Sequence, residues 1–441
     1  MPATAQLAAS LQATTLAAAE DMLQRNNPDL ALARRALEQS RADVLIAGQR
    51  PNPQLGVALQ NINPNRGFGV GDLRGKTVDT IVRVDQLFER GGKAELRVET
   101  ASRIEMAVGE DVNEMLRQQL LMLRTAYYDL LAAQEKVASS METAQLFGKT
   151  LDAAQLRLKA GDLASADVAR IRVDVLRAQN DVRTAEADLA RARLAVGYLI
   201  GAGSNASSIR AVSPWPKVDS LGSTKVSEEQ LADRADVRAA RARIDAADKA
   251  RELARAMGTR DVTIGAQYEH WPNQADANNQ GTGSSFGIGV SMPLFVRHRF
   301  EGEIARAQAD WYAAQDALQR TLSQARTEAE RAGGDLSAAR ERLVRFDAQL
   351  LPEAMRSAAA AEFAFRNGAI GVMDLLDARR VLKAIQVDAA NARADHAKAL
   401  VAYDLGRWPP IVEMVRKLKA EQREKRAGEE RERYRKRKSA H

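Results

Sequence analysis

The sequence resembles itself at one constant offset. "NPDLALARRALEQSRADV" at 27–44 resembles "ADVRAARARIDAADKA" at 235–250, with Leu30 falling on Val237. "QLFERGGKAELR" at 86–97 resembles "PLFVRHRFEGEI" at 293–304, with Leu87 and Phe88 on Leu294 and Phe295. Gly161 falls on Gly368 and Asp167 on Asp374, and every one of these pairs is 207 residues apart. A period of this kind marks one supersecondary unit used twice, so the fold has to be assembled from two similar halves. The reading that follows is a first repeat at 1–207, a linker at 208–232, a second repeat at 233–408 and a basic C-terminal extension at 409–441.

Within each half the hydrophobic period changes. After Asp167 the apolar positions Val168, Ile171, Val175, Ala178, Val182, Ala185, Leu189, Ala192, Val196 and Leu199 alternate spacings of three and four. That is a heptad seam. The second half repeats it with Leu375, Ala378, Leu382, Ile385, Ala389, Ala392, His396, Ala399 and Tyr403, and the frequent Ala lets helices approach closely. Four short segments instead alternate with period two, which predicts strands at about 53–62, 77–86, 261–271 and 285–295. Leu55, Val57 and Leu59 share one face, as do Val78, Thr80, Val82 and Val84; Val262, Ile264, Ala266 and Tyr268; and Phe286, Ile288, Val290 and Met292. The opposite faces are small or polar. Gly-rich polar stretches at 63–76 and 272–285 join the strands of each pair.

Such strands suit either a half-buried soluble sheet or a barrel with lipid on one side and water on the other. In lipid an open sheet edge leaves backbone groups unpaired, and single-chain membrane barrels need about eight strands or more. Four strands per chain in a membrane therefore require an oligomer.

Several function classes are excluded. With 0 Cys there is no disulfide, no thiolate metal site and no lipidated cysteine. No run of about 20 apolar residues predicts a transmembrane helix. "MPATAQLAASLQATTLAAAEDML" has no basic n-region, so no signal peptide is read there. The net charge of +7 resides in the extension, where 12 Lys or Arg and 5 Glu lie between Arg416 and Lys438. No GxSxG, P-loop, HExxH or dinucleotide fingerprint is present, so an enzyme is not expected. His270, His298, His396 and His441 are widely spaced, and no resident metal or cofactor is expected.

The doubled plan, "NNPDL" at 26–30, "LFERGGK" at 87–93, the paired Gly161 and Gly368 turns and a final "AYDLGRW" at 402–408 resemble the TolC-type outer-membrane efflux proteins. The length and "VSMPLFVRHRFEGEIARA" at 290–307 resemble the heavy-metal branch of that family, which serves cobalt, zinc, cadmium or nickel export. The resemblance implies a mainly α fold with a membrane β-barrel portion, in which three chains form a 12-stranded barrel continued by a long α-helical periplasmic tunnel. It implies the outer membrane of a Gram-negative bacterium, a homotrimer contacting outer-membrane lipid, a periplasmic adaptor and an inner-membrane RND-type pump, and a conduit that binds no nucleic acid.

The same resemblance gives "RNGAIGVMDLLDARR" at 366–380 a role. Asp374 and Asp377 match the aspartates lining the family's periplasmic aperture, while Gly161, Asp167 and Gly368 match the helix tips that meet the adaptor. Acids in a first helical turn also simply complement the macrodipole. Phe365 and Ile370 stand where the family's mouth links use a tyrosine and an arginine, so this mouth is expected either to be held by different contacts or to rest more open. The rival reading is a soluble antiparallel coiled-coil scaffold that binds nucleic acid or anionic lipid through the tail at 417–438.

Overall fold

A computed structural model of the chain describes residues 11–60, 62, 65, 78–218, 227–271 and 283–407. Most of the first polar stretch, residues 272–282 of the second, residues 219–226 of the linker and the basic extension lie outside the described residues.

In chain order the elements are α1 (Leu16–Asn26), α2 (Pro28–Ala47), β1 (Gln54–Gln60), β2 (Asp79–Phe88), α3 (Lys93–Ala160) and α4 (Ser165–Leu199). A short 3-10 turn (Gly203–Ser208) leads to α5 (Glu228–Ala232), α6 (Ala235–Ala256), β3 (Val262–Trp271) and β4 (Gly283–Ser291). Then follow α7 (Glu301–Arg345), a π-helical turn (Phe346–Leu350), α8 (Leu351–Arg366) and α9 (Val372–Arg407). No described helix is long and apolar enough to cross a membrane.

The chain divides into two compact units, and neither is a sequence repeat. One comprises residues 1–35, 111–237 and 321–441; the other comprises 36–110 and 238–320. Each unit draws on both halves of the sequence.

The first unit is helical. Its core gathers Leu23, Leu30, Leu120, Leu123, Tyr127 and Leu130 with Ile200 and Leu405. Asn27 opens the "NPDL" stretch and holds it in place. Its Oδ1 accepts the Leu30 backbone N–H at 2.9 Å and caps α2, whose first residue is Pro28. Its Nδ2 donates to Gln119 Oε1 at 3.1 Å and to the Leu199 carbonyl at 3.0 Å, tying three helices together. The heptad seams of α4 and α9 face inward, and no seam position in either is exposed. Val168, Ile171, Val175 and Ala178 pack with Phe147, Ala154 and Leu376 in a second cluster.

The long helix of the second repeat is interrupted where that of the first is not. Pro352 lacks a backbone N–H, and its ring crowds the carbonyl four residues earlier. The chain responds with the π turn, in which the Leu351 N–H reaches back to the Phe346 carbonyl. Gln145 stands at the corresponding place in α3, which continues unbroken for 68 residues.

The second unit carries one four-stranded antiparallel sheet in the order β1-β2-β3-β4. The ladders differ from the sequence reading at their ends. β2 runs two residues further, because Phe88 still pairs with Val262. β4 begins at Gly283, opposite Trp271, and ends at Ser291. Beyond it Pro293 has no N–H to give, and the Val296 N–H turns back to the Leu294 carbonyl at 3.0 Å.

Candidate functional site

Two regions carry the sequence-predicted features: the sheet and the helix tips. In the sheet the registers Val57↔Val82, Val82↔Tyr268 and Tyr268↔Phe286 align the apolar faces of all four strands. That shared face carries Leu55, Val57, Leu59, Val84, Ile264, Phe286, Ile288, Val290 and Met292, every one exposed. Phe286 and Ile288 are 84% and 85% accessible, the highest values among the exposed large hydrophobic residues described.

The other face is polar. Arg83 holds Asp85 at 2.8 Å, and the pair lies flat across β3 at Gly265, where an added Cβ would meet Asp85 Oδ1 at 2.2 Å. Trp271 covers Gly283 in the same way. Glycine on this face makes room for the large side chain of the neighbouring strand. β1 and β4 each keep one edge with no strand beside it among the described residues.

Charge is paired at the end of the sheet where α3 begins. The buried Lys93 ammonium donates to Asp261 Oδ2 at 2.8 Å and to the Thr259 carbonyl at 2.8 Å. Burial pushes the Asp261 carboxyl up, but bonds from Lys93 and the Arg90 N–H outweigh it and hold the group below its ordinary value. The hydrogen bond from Arg97 likewise holds Glu89 down.

At the helix tips the two repeats use one backbone device. Gly161 has φ 85° and Gly368 has φ 74°. The Asp162 N–H bonds the Arg157 carbonyl and the Gly161 N–H bonds that of Leu158, at 2.9 and 3.1 Å. Ala369 to Ala364 and Gly368 to Phe365 repeat the pattern at 2.9 and 3.0 Å. Each is a Schellman turn with glycine in the left-handed position.

Asp167 and Asp374 then occupy the same early position of the next helix. Asp374 is exposed, and its Oδ2 accepts the Gly371 N–H at 3.2 Å, so it also caps α9. Asp377 is exposed and pairs with Arg380, which also binds the buried Asp174 of α4. Asp167 lies 3.8 Å from Arg170, which stands where the second repeat has Asp377.

Phe365 and Ile370 line a groove of about 480 Å³ with Leu146, Thr150, Arg157 and Arg379. The Arg157 guanidinium lies 5.4 Å from the centre of the Phe365 ring. Arg379 reaches Thr150 Oγ1 at 3.1 Å and Glu362 at 3.7 Å. Sequence reasoning missed Arg157 and Arg379. Only the fold brings Arg157, which precedes the first turn, to Phe365, which precedes the second.

No group of three or more metal-ligating side chains gathers among the described residues. His396 is buried in the seam of α9, with its Nδ1 unbonded. Burial, reinforced by Arg340, pushes its pKa down. It packs as a neutral core group.

A family model described as "Outer membrane efflux protein" matches residues 19–202 and 226–403. The cobalt-zinc-cadmium resistance protein CzcC of Cupriavidus metallidurans is 26% identical over 383 residues, covering 83% of this chain and 84% of that protein. Among solved structures, the CmeC outer membrane channel of Campylobacter jejuni aligns with a TM-score of 0.75 at 17% identity, over 89% of this chain and 85% of that one. The outer membrane protein VceC of Vibrio cholerae aligns with a TM-score of 0.70 at 21% identity, over 89% of this chain and 96% of that one.

Proposed function

Because the chain belongs to the outer membrane efflux protein family, we propose that it is the outer-membrane conduit of a tripartite system that exports divalent heavy-metal cations. An inner-membrane pump and a periplasmic adaptor would deliver the cargo. Family membership sets aside the soluble scaffold. The efflux channel itself performs no chemistry.

The observation that carries the proposal is the exposed apolar face of the sheet. Water penalises that surface by roughly 25 cal/mol per Å², whereas acyl chains accept it. Strands of 10 residues such as β2 and β3 reach about 25 Å along the axis of a barrel tilted near 40°, the height of an outer-membrane apolar band. The free edges of β1 and β4 then find partners in further copies, and three chains make a closed barrel of 12 strands.

Asp374 and Asp377 are the proposed lining of the periplasmic mouth, six carboxylates in a trimer, which would favour cations. Gly161, Asp167 and Gly368 form the proposed adaptor-facing tips. In place of the family's tyrosine and arginine links, the Arg157–Phe365 contact would brace this mouth. Metal as cargo rests on the likeness to CzcC, and with no ligand cluster among the described residues, selection falls to the pump.

The test is single-channel recording of the purified protein in a planar bilayer. Cation-selective steps are expected, with cation block reduced by combined Asp374→Ala and Asp377→Ala. Unaltered block would remove the mouth assignment. A strain lacking this chain should lose zinc, cobalt or cadmium resistance; unchanged tolerance to all of them would remove the cargo assignment.

A further inference from the structure

The apolar stripe of β4 does not end with its ladder. Met292, Leu294 and Val296 continue the alternation of Phe286, Ile288 and Val290, and Leu294 and Val296 are 68% and 83% accessible. The chain turns there, and the next residues, Arg297, His298 and Arg299, are all exposed. Neither the Arg297 nor the Arg299 guanidinium has a hydrogen-bond or salt-bridge partner among the described residues. The Glu301 carboxylate accepts the Arg299 backbone N–H at 2.8 Å, and the charges of His298 and Arg299 also help to hold it below its ordinary value, though no guanidinium hydrogen bond to it forms. Arg260, exposed at the base of β3, lies over the Phe295 ring at 5.8 Å.

The first repeat handles the equivalent segment differently. There Glu89 binds Arg97 at 2.8 Å and Lys93 binds Asp261 at 2.8 Å. Lys93 and Arg97 are thus paired, with Asp261 of the second repeat and with Glu89, and Arg90, the counterpart of Arg297, is exposed. The second repeat differs in presenting two such arginines, Arg297 and Arg299, beside exposed apolar side chains.

We propose that Arg297 and Arg299, with Arg260, hold the phosphate of a phospholipid headgroup in the inner leaflet while Leu294 and Val296 lie among its acyl chains. The proposal rests on the sheet's apolar face being lipid-facing. Charge complementarity selects an anionic phosphate. Continuity with the apolar stripe selects a lipid over a free anion, since a soluble phosphate gives Leu294 and Val296 nothing to bury against. Basic groups directly beside an apolar band are what an anionic leaflet surface attracts.

The experiment counts phosphatidylglycerol retained by the detergent-purified oligomer in native mass spectrometry. It compares wild type, Arg297→Ala/Arg299→Ala and Arg297→Lys/Arg299→Lys. Retention should weaken about 30-fold in the alanine pair, from two basic contacts of the usual strength, and partly recover in the lysine pair, which also shows that the fold survives. Inorganic phosphate at millimolar concentration should not displace the lipid. Equal retention by wild type and the alanine pair overturns the clamp, and displacement by phosphate reassigns it to a free-anion site and overturns it too. Channel steps from the same samples in phosphatidylethanolamine bilayers separate the two levels. If steps are present and retention is equal, only the clamp falls; if nothing inserts, the membrane reading falls with it.

Discussion

The two repeats differ most where they bury charge and least where they turn the backbone. Gly161 and Gly368 close helices with the same pair of hydrogen bonds. Asn27, an uncharged cap, has as its counterpart Arg234, a buried guanidinium bound to Asp236 and Glu328 at 2.8 and 2.9 Å. Lys93, buried against Asp261, corresponds to Phe300, which edges against Phe295 and His298. A left-handed turn tolerates glycine and little else, so both copies keep it. Buried polar groups need only some partner, so each copy found its own.

Removing a partner from the charged member of such a pair should cost most. Asp261→Asn leaves the Lys93 ammonium buried with its charge uncompensated, and a loss of about 3 kcal/mol or more is expected in denaturant melts. Because the folded state holds the Asp261 carboxyl low, its contribution is present above the ordinary carboxylate range and is lost as pH falls through the folded value. The gap between wild type and variant should therefore close in acid. Next comes Asn27→Ala, which removes a helix cap and the donor to Gln119 Oε1, for about 2 kcal/mol.

The turns sharpen the comparison by predicting equality. Nothing lies within 4 Å of a Cβ built at Gly161 or Gly368, so alanine there meets only backbone strain, about 1 kcal/mol at each site. Unequal losses would mean that the two tips are not the same device. The smallest effect belongs to Pro352→Gln, which copies Gln145 of the first repeat. It should restore regular helix over Phe346–Leu350 and slow amide exchange there, with stability changed by less than about 1 kcal/mol.

Local pattern made much of this legible. The offset, the heptad seams, the alternating strand faces and the glycine turns all depend on residues close in sequence, and period alone reveals them. The acids proposed for the aperture were visible as residues, but their partners were not. Arg380 joins Asp377 to Asp174 across 206 positions, and Lys93 reaches Asp261 across 168. Such pairings are set by which helices pack together. The π turn was within reach, since a proline inside a helical run has few outcomes. The division into units was not, because both units interleave the two repeats and no composition change marks their boundary.

The most direct test concerns the two sheet edges that the chain leaves without a neighbouring strand among the described residues, one from each repeat. Its sequence contains 0 Cys, so introduced thiols report on nothing else. Val57→Cys on β1 would be combined in turn with cysteine at Ser284, Phe286, Ile288 and Val290 on β4, and oxidised in outer membranes. Closure of three copies through these edges predicts a ladder of covalent dimers and trimers at one or two of the pairings. Monomer at every pairing, in a protein that still inserts, would contradict the barrel.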